Sequence, residues 1–271
     1  MLLTCMKRTR PKNILLISLL TLSLLVTSFV PTGGNPVEFK LRRVVIDAGH
    51  GGKDPGTIGK SSREKDVVLS LALQVGNYIK ENLPDVEVIY TRKTDVFIEL
   101  KERANIANRN RADLFVSIHC NATRTSSVHG TETFVMGSKN FGANFDIVKR
   151  ENAVILLEDN YEENYEGFDP QSPESYMMFN LMQKAHFANS LSLAQKIESD
   201  FVTRLNRSSR GVKQAPFYVL WTTSMPSVLI ETGFLSNPNE EKYLNSKQGQ
   251  SYIASAIYRS IKAYKEEVES L

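Results

Sequence analysis

The sequence predicts an α/β fold in which a mostly parallel, twisted sheet carries helices on both faces, with a helical insertion near the active-site rim. Short apolar runs typical of buried strands alternate along the chain with segments that have apolar residues at helical spacing. This alternation favours parallel strands joined by crossover helices. The segment 137–216 breaks the rhythm, and its first part is therefore predicted to be an insertion.

Each predicted element rests on a local pattern of apolar residues bounded by Gly, Pro or polar residues. The predicted strands cover residues 43–47, 86–91, 114–118, 131–136, 217–220 and 228–231. The predicted helices cover residues 65–82, 99–111, 145–158 and 172–205, and a closing helix begins near residue 252.

The N-terminus has the pattern of a secretory signal, since four basic residues within the first twelve precede an apolar run over residues 14–30. We expect residues 1–30 to be a cleaved signal peptide, followed by a linker over 31–41 and a catalytic domain over 42–271. An uncleaved anchor is the alternative, although the run is short for a spanning helix of about 20 residues. With cleavage, no stable membrane insertion is expected.

Charge and cysteine content narrow the function classes. Without the four N-terminal bases, 29 basic residues face 30 acidic ones, a net charge of −1. A nucleic-acid binder would need a basic stripe, so nucleic acid is not an expected partner. Cleavage would also remove Cys5 and leave Cys120 alone, which excludes an internal disulfide and fits a small buried residue.

Four residues with metal-binding or acid–base side chains lie at predicted strand ends or at a helix start. They are His50, Glu64, His119 and Glu231. The carboxyl ends of parallel strands share one rim, and two imidazoles plus one carboxylate form a catalytic zinc set with an open fourth position. Taken singly, each residue has a simpler explanation, such as capping a turn, complementing a helix dipole or contacting solvent.

Five blocks of the sequence together resemble one family. In order and spacing, these blocks are similar to the zinc-dependent N-acetylmuramoyl-L-alanine amidases of bacterial cell walls. The resemblance runs from about Arg43 to the C-terminus, and the blocks are VVIDAGHGGKDPGTIG, REKDVVLSLA, ADLFVSIHCNA, HGTETFV and PSVLIETGFLSNPNEEKYL. The resemblance implies that His50, Glu64 and His119 hold one Zn²⁺. It also implies that Glu231 is the catalytic acid–base.

The same resemblance implies the reaction, which is hydrolysis of the amide between N-acetylmuramic acid and L-alanine in peptidoglycan, for wall remodelling and daughter-cell separation. Asn121 is a further candidate for substrate binding. His129 and His186, the latter expected within a helix, are predicted to be structural or solvent-facing. The segment 61–63 departs from the family pattern, which bears on the shape of that loop rather than on Glu64.

The insertion over residues 146–186 resembles one in the division amidases of Gram-negative bacteria, which implies a periplasmic location. In that subgroup a helix blocks the zinc cleft until an activator protein displaces it. Glu151 and Glu158 are the candidates for the blocking carboxylate. The alternative is a solvated acidic loop that joins two helices.

Two other functions compete with an amidase. A two-metal exopeptidase of similar architecture would need more Asp, Glu and His ligands than the strand-end motifs supply. An inactive wall-binding module would be expected to lack a ligand or the base, whereas all four strand-end and helix-start residues are present.

Overall fold

The computed structural model describes residues 39–176 and 186–270. The predicted signal peptide, most of the predicted linker and residues 177–185 of the insertion lie outside the described residues. No helix in the described ranges has both the length and the apolar character to cross a membrane.

The described residues form a six-stranded sheet with the strand order β2-β1-β3-β6-β4-β5. Only the β4–β6 pair is antiparallel, and the other four pairs are parallel. The mostly parallel sheet confirms the predicted fold class. The strands are β1 (Arg43–Ala48), β2 (Glu87–Tyr90), β3 (Leu114–Asn121), β4 (Thr131–Val135), β5 (Ser209–Gln214) and β6 (Ser227–Phe234).

Helices cover both faces of the sheet, and a 3₁₀ turn over Ala153–Leu157 follows the first helix of the insertion. The helices are α1 (Glu64–Asn82), α2 (Leu100–Arg109), α3 (Phe141–Asn152), α4 (Tyr161–Asn164), α5 (Phe187–Leu205), α6 (Tyr218–Trp221), α7 (Pro238–Asn245) and α8 (Lys247–Val268).

Two apolar clusters pack against the two faces, as the alternation of side chains along each strand requires. On β1, Val44 and Ile46 join a cluster with α1, α5 and α8, whereas Val45 joins the opposite cluster with α2 and the insertion. The central strands β3 and β6 are buried along their whole length. The strand ends that carry the predicted functional residues are therefore held in a rigid core.

The predicted strand over residues 217–220 is wrong, because Tyr218–Trp221 forms a short helix. Its apolar residues are buried in the second cluster, and a short apolar run does not distinguish a buried helical turn from a strand. The edge strand β5 was not predicted. Its sequence, SRGVKQ, is polar and half-exposed, as is common for edge strands.

The predicted continuous helix over residues 172–205 is also wrong at its start. Residues 173–176 form a 3₁₀ turn, and α5 begins at Phe187, so His186 immediately precedes a helix rather than lying within one. The hydroxyl of Ser172 donates to the carboxylate of Glu174 within this turn. The helix predicted over 145–158 begins at Phe141, ends at Asn152 and continues as the 3₁₀ turn.

Candidate metal centre and active site

The turn after β1 brings His50 beside the end of β3. The backbone N–H of Gly49 donates to the carbonyl of Ile118 at 3.1 Å, and His50 itself has a left-handed backbone with φ of 58°. A Cβ at Gly49 would lie 2.3 Å from Cε1 of His119. Glycine at this position therefore allows the His119 ring to pack against the turn.

Four buried side chains converge at this rim: His50, Glu64, His119 and Glu151. Oε1 of Glu64 lies 3.1 Å from Nε2 of His50 and 3.1 Å from Nδ1 of His119. Oε2 of Glu151 lies 3.2 Å and 3.0 Å from the same two nitrogen atoms. The structure thus brings the three predicted ligands together and adds Glu151 from the insertion.

The donor set fits a zinc ion. Bonds of about 2.0–2.1 Å in a tetrahedral site separate neighbouring ligand atoms by roughly 3.3–3.4 Å, close to the 3.0–3.2 Å measured between imidazole nitrogens and carboxylate oxygens. Among the described residues, neither Nε2 of His50 nor Oε2 of Glu151 forms a hydrogen bond, although both atoms are buried. Buried polar atoms without partners are costly, which supports this cluster as a cation site.

The ligand candidates are oriented by neighbouring groups. Nδ1 of His50 lies 2.7 Å from Oδ2 of Asp54, which leaves Nε2 facing the two glutamates. The Glu64 carboxylate accepts hydrogen bonds from the backbone N–H groups of Cys120 and Thr57, each at 2.8 Å. Such supporting contacts fix the rotamer of a ligand and the tautomer of a histidine.

The opposite charges in the cluster shift several pKa values. Burial is the largest single influence on the pKa of His119 and lowers it, but the charge of Glu151 together with hydrogen bonds to Glu151 and Glu64 raises this pKa to about 9. Burial is the largest single influence on the pKa of Glu64 and raises it, but the positive charge of His50 together with hydrogen bonds to His119 and His50 holds this pKa below its usual range. Two carboxylates that remain ionised beside two imidazoles make an electrostatic environment suited to a divalent cation.

Glu231 lies beside this cluster on β6, directly opposite His119 on β3. Its side chain is fully buried, and within the described residues neither carboxylate oxygen forms a hydrogen bond. Burial and the negative charge of Glu151 raise the pKa of Glu231 well above its usual range. A buried carboxyl with a raised pKa beside a candidate metal site is suited to proton transfer.

Arg150 ties the insertion to the rim of the sheet. Its guanidinium donates to Oε1 of Glu151 at 2.9 Å, to the carbonyl of Ala122 at 2.9 Å and to Oδ1 of Asn121 at 3.0 Å. It also lies 3.9 Å from Oε1 of Glu231. Asn121 is thus beside the cluster but engaged by Arg150, and its role in substrate binding stays a prediction.

A buried ion pair between Arg103 and Asp47 supports the turn that carries His50. Arg103 donates to Oδ1 of Asp47 at 2.8 Å, to the carbonyl of Ala48 at 2.7 Å and to the carbonyl of His50 at 2.7 Å. Ser117 and Thr91 donate to the same aspartate at 2.7 Å each. Asp47, Asp54, Arg103 and Arg150 were not among the site residues predicted from the sequence. The DAGH and GGKD motifs offered a signal only for the two aspartates.

The other sequence candidates lie elsewhere. Glu158 accepts hydrogen bonds from the backbone of Leu100 at 2.9 Å and from the hydroxyl of Tyr165 at 2.7 Å, so it supports the start of α2 rather than joining the metal cluster. His129 and His186 are exposed and are not part of the cluster.

Comparisons with known proteins agree with this geometry. Residues 44–263 match the N-acetylmuramoyl-L-alanine amidase family. The chain is 35% identical over 231 residues to N-acetylmuramoyl-L-alanine amidase AmiC of Escherichia coli O6:H1, covering 82% of this chain and about half, 52%, of that relative. It is also 35% identical over 227 residues to N-acetylmuramoyl-L-alanine amidase AmiA of Escherichia coli K12, covering 82% of this chain and 76% of the relative.

A solved structure agrees as well. The crystal structure of N-acetylmuramoyl-L-alanine amidase from Clostridium difficile 630 superposes with a TM-score of 0.63 at 29% identity, over 84% of this chain and 98% of that one. These matches confirm the family resemblance inferred from the five sequence blocks. The chain belongs to the N-acetylmuramoyl-L-alanine amidase family.

Proposed function

We propose that the chain is a zinc-dependent amidase that cleaves the bond between N-acetylmuramic acid and L-alanine in peptidoglycan, and that its own insertion holds it inactive. The observation that carries this proposal is the placement of Glu151 within 3.2 Å of both imidazoles, beside the buried Glu231. The inhibitory Glu151 therefore contacts side chains that are proposed to carry out the reaction.

His50, Glu64 and His119 would hold the ion. Zinc bound there supplies a water whose pKa is lowered to about 7 and a Lewis acid for the scissile carbonyl. Glu231 accepts the proton of the attacking water and then donates a proton to the departing alanine nitrogen. An amide nitrogen leaves poorly without a proton, so the raised pKa of Glu231 suits the second step.

Glu151 explains the inhibition. A catalytic zinc site has three protein ligands and an open position, whereas the cluster with Glu151 contains four protein groups. Arg150 reinforces the block, since it attaches α3 to the end of β3 through Asn121 and Ala122. With α3 in this position, Glu151 would take the place that a tetrahedral ion needs for water.

The inhibition is tested with full-length Glu151→Ala and with a deletion of residues 146–186, both assayed on purified sacculi. Activity should rise at least tenfold in Glu151→Ala, while Glu163, an exposed glutamate of the same insertion, provides the matched control Glu163→Ala. Unchanged activity in a folded Glu151→Ala protein would count against inhibition by this carboxylate.

The reaction is tested by mass spectrometry of digested muropeptides. An amidase releases stem peptides with a free N-terminal L-alanine, whereas an exopeptidase shortens the stem and an inactive wall-binding module releases nothing. The Glu231→Gln variant should bind zinc but release less than a thousandth of the peptide. Metal analysis of both proteins should find one zinc per chain.

The biological setting follows from the substrate. A periplasmic enzyme exported by its N-terminal signal would meet peptidoglycan directly, and wall remodelling at daughter-cell separation requires restrained hydrolysis. An activator protein that binds the insertion and withdraws α3 would supply that restraint. Export is tested by locating the chain in periplasmic and membrane fractions and sequencing its N-terminus.

A further inference from the structure

A second group of charges lies next to Glu231, on the side away from His119. Glu132 on β4 is directly opposite Glu231 on β6 in the antiparallel pair, so their Cβ atoms are about 4.5–5.5 Å apart. Glu132 is buried, and its Oε1 atom forms ion pairs with Nε of Arg210 and, at 2.9 Å, with Nζ of Lys213. Both basic residues belong to the edge strand β5.

The two cations are held in place by aromatic rings as well as by Glu132. The guanidinium of Arg210 lies 5.4 Å from the ring centre of Phe234, and the ammonium of Lys213 lies 5.8 Å from that of Phe134. Cation–π contacts of this kind add to ion pairing and restrict the side chains. The cations are therefore positioned before any ligand arrives.

This group also carries an excess of positive charge. One carboxylate faces two cations, so Glu132, Arg210 and Lys213 together have a net charge of +1. The side chain of Arg210 is 42% exposed, and its two terminal nitrogens have no hydrogen-bond partner in the described part of the chain. A free guanidinium fork of this type matches the geometry of a carboxylate.

The proposed reaction places the departing peptide on this side. Glu231 must face the alanine nitrogen to protonate it, so the stem peptide leaves beside Glu231. Strand β5 lies two strand spacings beyond β6, about 10 Å, and an extended chain advances at most about 3.6 Å per residue. The long side chains of Arg210 and Lys213 shorten the gap to the second residue of the stem.

We propose that Arg210 and Lys213 form an anion subsite for the free α-carboxylate of the second stem residue, a D-glutamate joined to the third residue through its γ-carboxyl. This inference rests on the proposed amidase function. Glu132 acts as the positioning residue, because it holds both cations at the rim. The subsite would make hydrolysis sensitive to amidation of that α-carboxylate.

The test compares two muramoyl tripeptides that differ only in the second residue, which carries an α-carboxylate or an α-carboxamide. Both are assayed with the full chain bearing Glu151→Ala, in which the blocking carboxylate is absent. KM for the carboxylate substrate should be roughly tenfold lower than for the carboxamide, the size expected for one charge-assisted contact, with similar kcat.

Variants at the subsite sharpen the comparison. Arg210→Gln and Lys213→Gln should each raise KM about tenfold for the carboxylate substrate and leave the carboxamide substrate within twofold. Matched controls are Arg204→Gln and Lys196→Gln, which alter ion pairs with Asp200 and Glu267 on helices away from the rim. A merely structural role of the cations would raise KM for both substrates alike, which would overturn the subsite.

A binding measurement separates the two proposals. Calorimetry of the released tripeptide and of its α-carboxamide, with the Glu151→Ala chain, should show about tenfold tighter binding of the carboxylate form. Equal affinities would refute the subsite, even if a variant at Arg210 failed to fold. If neither muramoyl peptide is cleaved while the tripeptides still differ in affinity, the amidase proposal fails and the anion site stands.

Discussion

Oδ2 of Asp54 lies 2.7 Å from Nδ1 of His50, four residues earlier in the same glycine-rich turn. The contact leaves Nε2 of His50 as the atom that faces Glu64 and Glu151. A second hydrogen bond, from the backbone of Gly56 to Oδ1 at 3.0 Å, holds the carboxylate itself. Asp54 therefore determines how the first predicted ligand is presented.

Replacing Asp54 by alanine should weaken zinc binding. Loss of the partner of a histidine ligand typically lowers metal affinity by about 10–100-fold, because the ring loses its fixed orientation and tautomer. Competition with a chromogenic chelator measures the change. Asp66→Ala is the matched control, since Asp66 in the first turn of α1 forms an exposed ion pair with Arg63, the residue before the helix. Equal affinity in Asp54→Ala and the unmodified chain would show that the contact is dispensable.

Arg150→Ala should activate the enzyme partially. The substitution removes the hydrogen bonds that attach α3 to Asn121 and Ala122, but leaves the Glu151 carboxylate in the chain. Even one charge-assisted hydrogen bond contributes about 1.5–3 kcal/mol, so release of peptide from sacculi should rise at least about tenfold and remain below that of Glu151→Ala.

The adjacent Lys149 provides the control, because its side chain has no ion pair or hydrogen bond among the residues that the structure describes. Lys149→Ala should leave the rate within twofold. An Arg150→Ala protein that is no more active than Lys149→Ala would show that Arg150 does not contribute to the block.

Much of the fold and of the centre was accessible from the sequence, because strand-end residues are tied to the local pattern around them. His50 lies two residues after the end of β1 and His119 directly follows the run LFVSI in β3, and parallel strands bring these positions to one rim. The insertion is different. Choosing between Glu151 and Glu158 required knowing that α3 ends at Asn152, since a 3₁₀ turn after that point directs Glu158 to α2.

Long-range polar contacts were not accessible in the same way. Arg103 and Arg150 look like ordinary helical surface residues, and only the packing of α2 and α3 against the sheet gives them partners. Strand β5 escaped prediction for a related reason, since its polar sequence resembles a loop until β4 pairs with it. Charged residues on an edge strand prevent it from pairing with other chains, so such a strand lacks the alternation of apolar residues by which strands are predicted.

Arg103→Met should destabilise the fold strongly. The variant leaves the buried carboxylate of Asp47 without its cation, and breaking one side of a buried ion pair costs about 3–5 kcal/mol. Urea unfolding followed by circular dichroism measures this loss. Arg109→Met, which removes only an exposed pair with Glu102, should change the free energy of unfolding by less than about 1 kcal/mol. Similar losses in both variants would argue against a special role for the buried pair.

Zinc should stabilise the metal-free chain against heat. A ligand that binds only the folded state adds about 2.7 kcal/mol at a concentration of 100 times its Kd, and the buried His50, Glu64 and His119 side chains are brought together only by folding. A chain stripped with a chelator should therefore gain several degrees in Tm on addition of zinc, and little on addition of calcium, which prefers six to eight oxygen ligands.

The stabilisation by zinc should disappear in His119→Ala and persist in His129→Ala, because His129 is exposed and away from the cluster. The zinc response also distinguishes the state in which Glu151 joins the cluster from the state in which this carboxylate is absent. Glu151→Ala removes one of four candidate ligands but retains the three of a catalytic site, so its Tm should still rise with zinc, by a smaller amount. A Tm that responds to zinc equally in His119→Ala would mean that the stabilising ion binds elsewhere, and would remove the support for this metal centre.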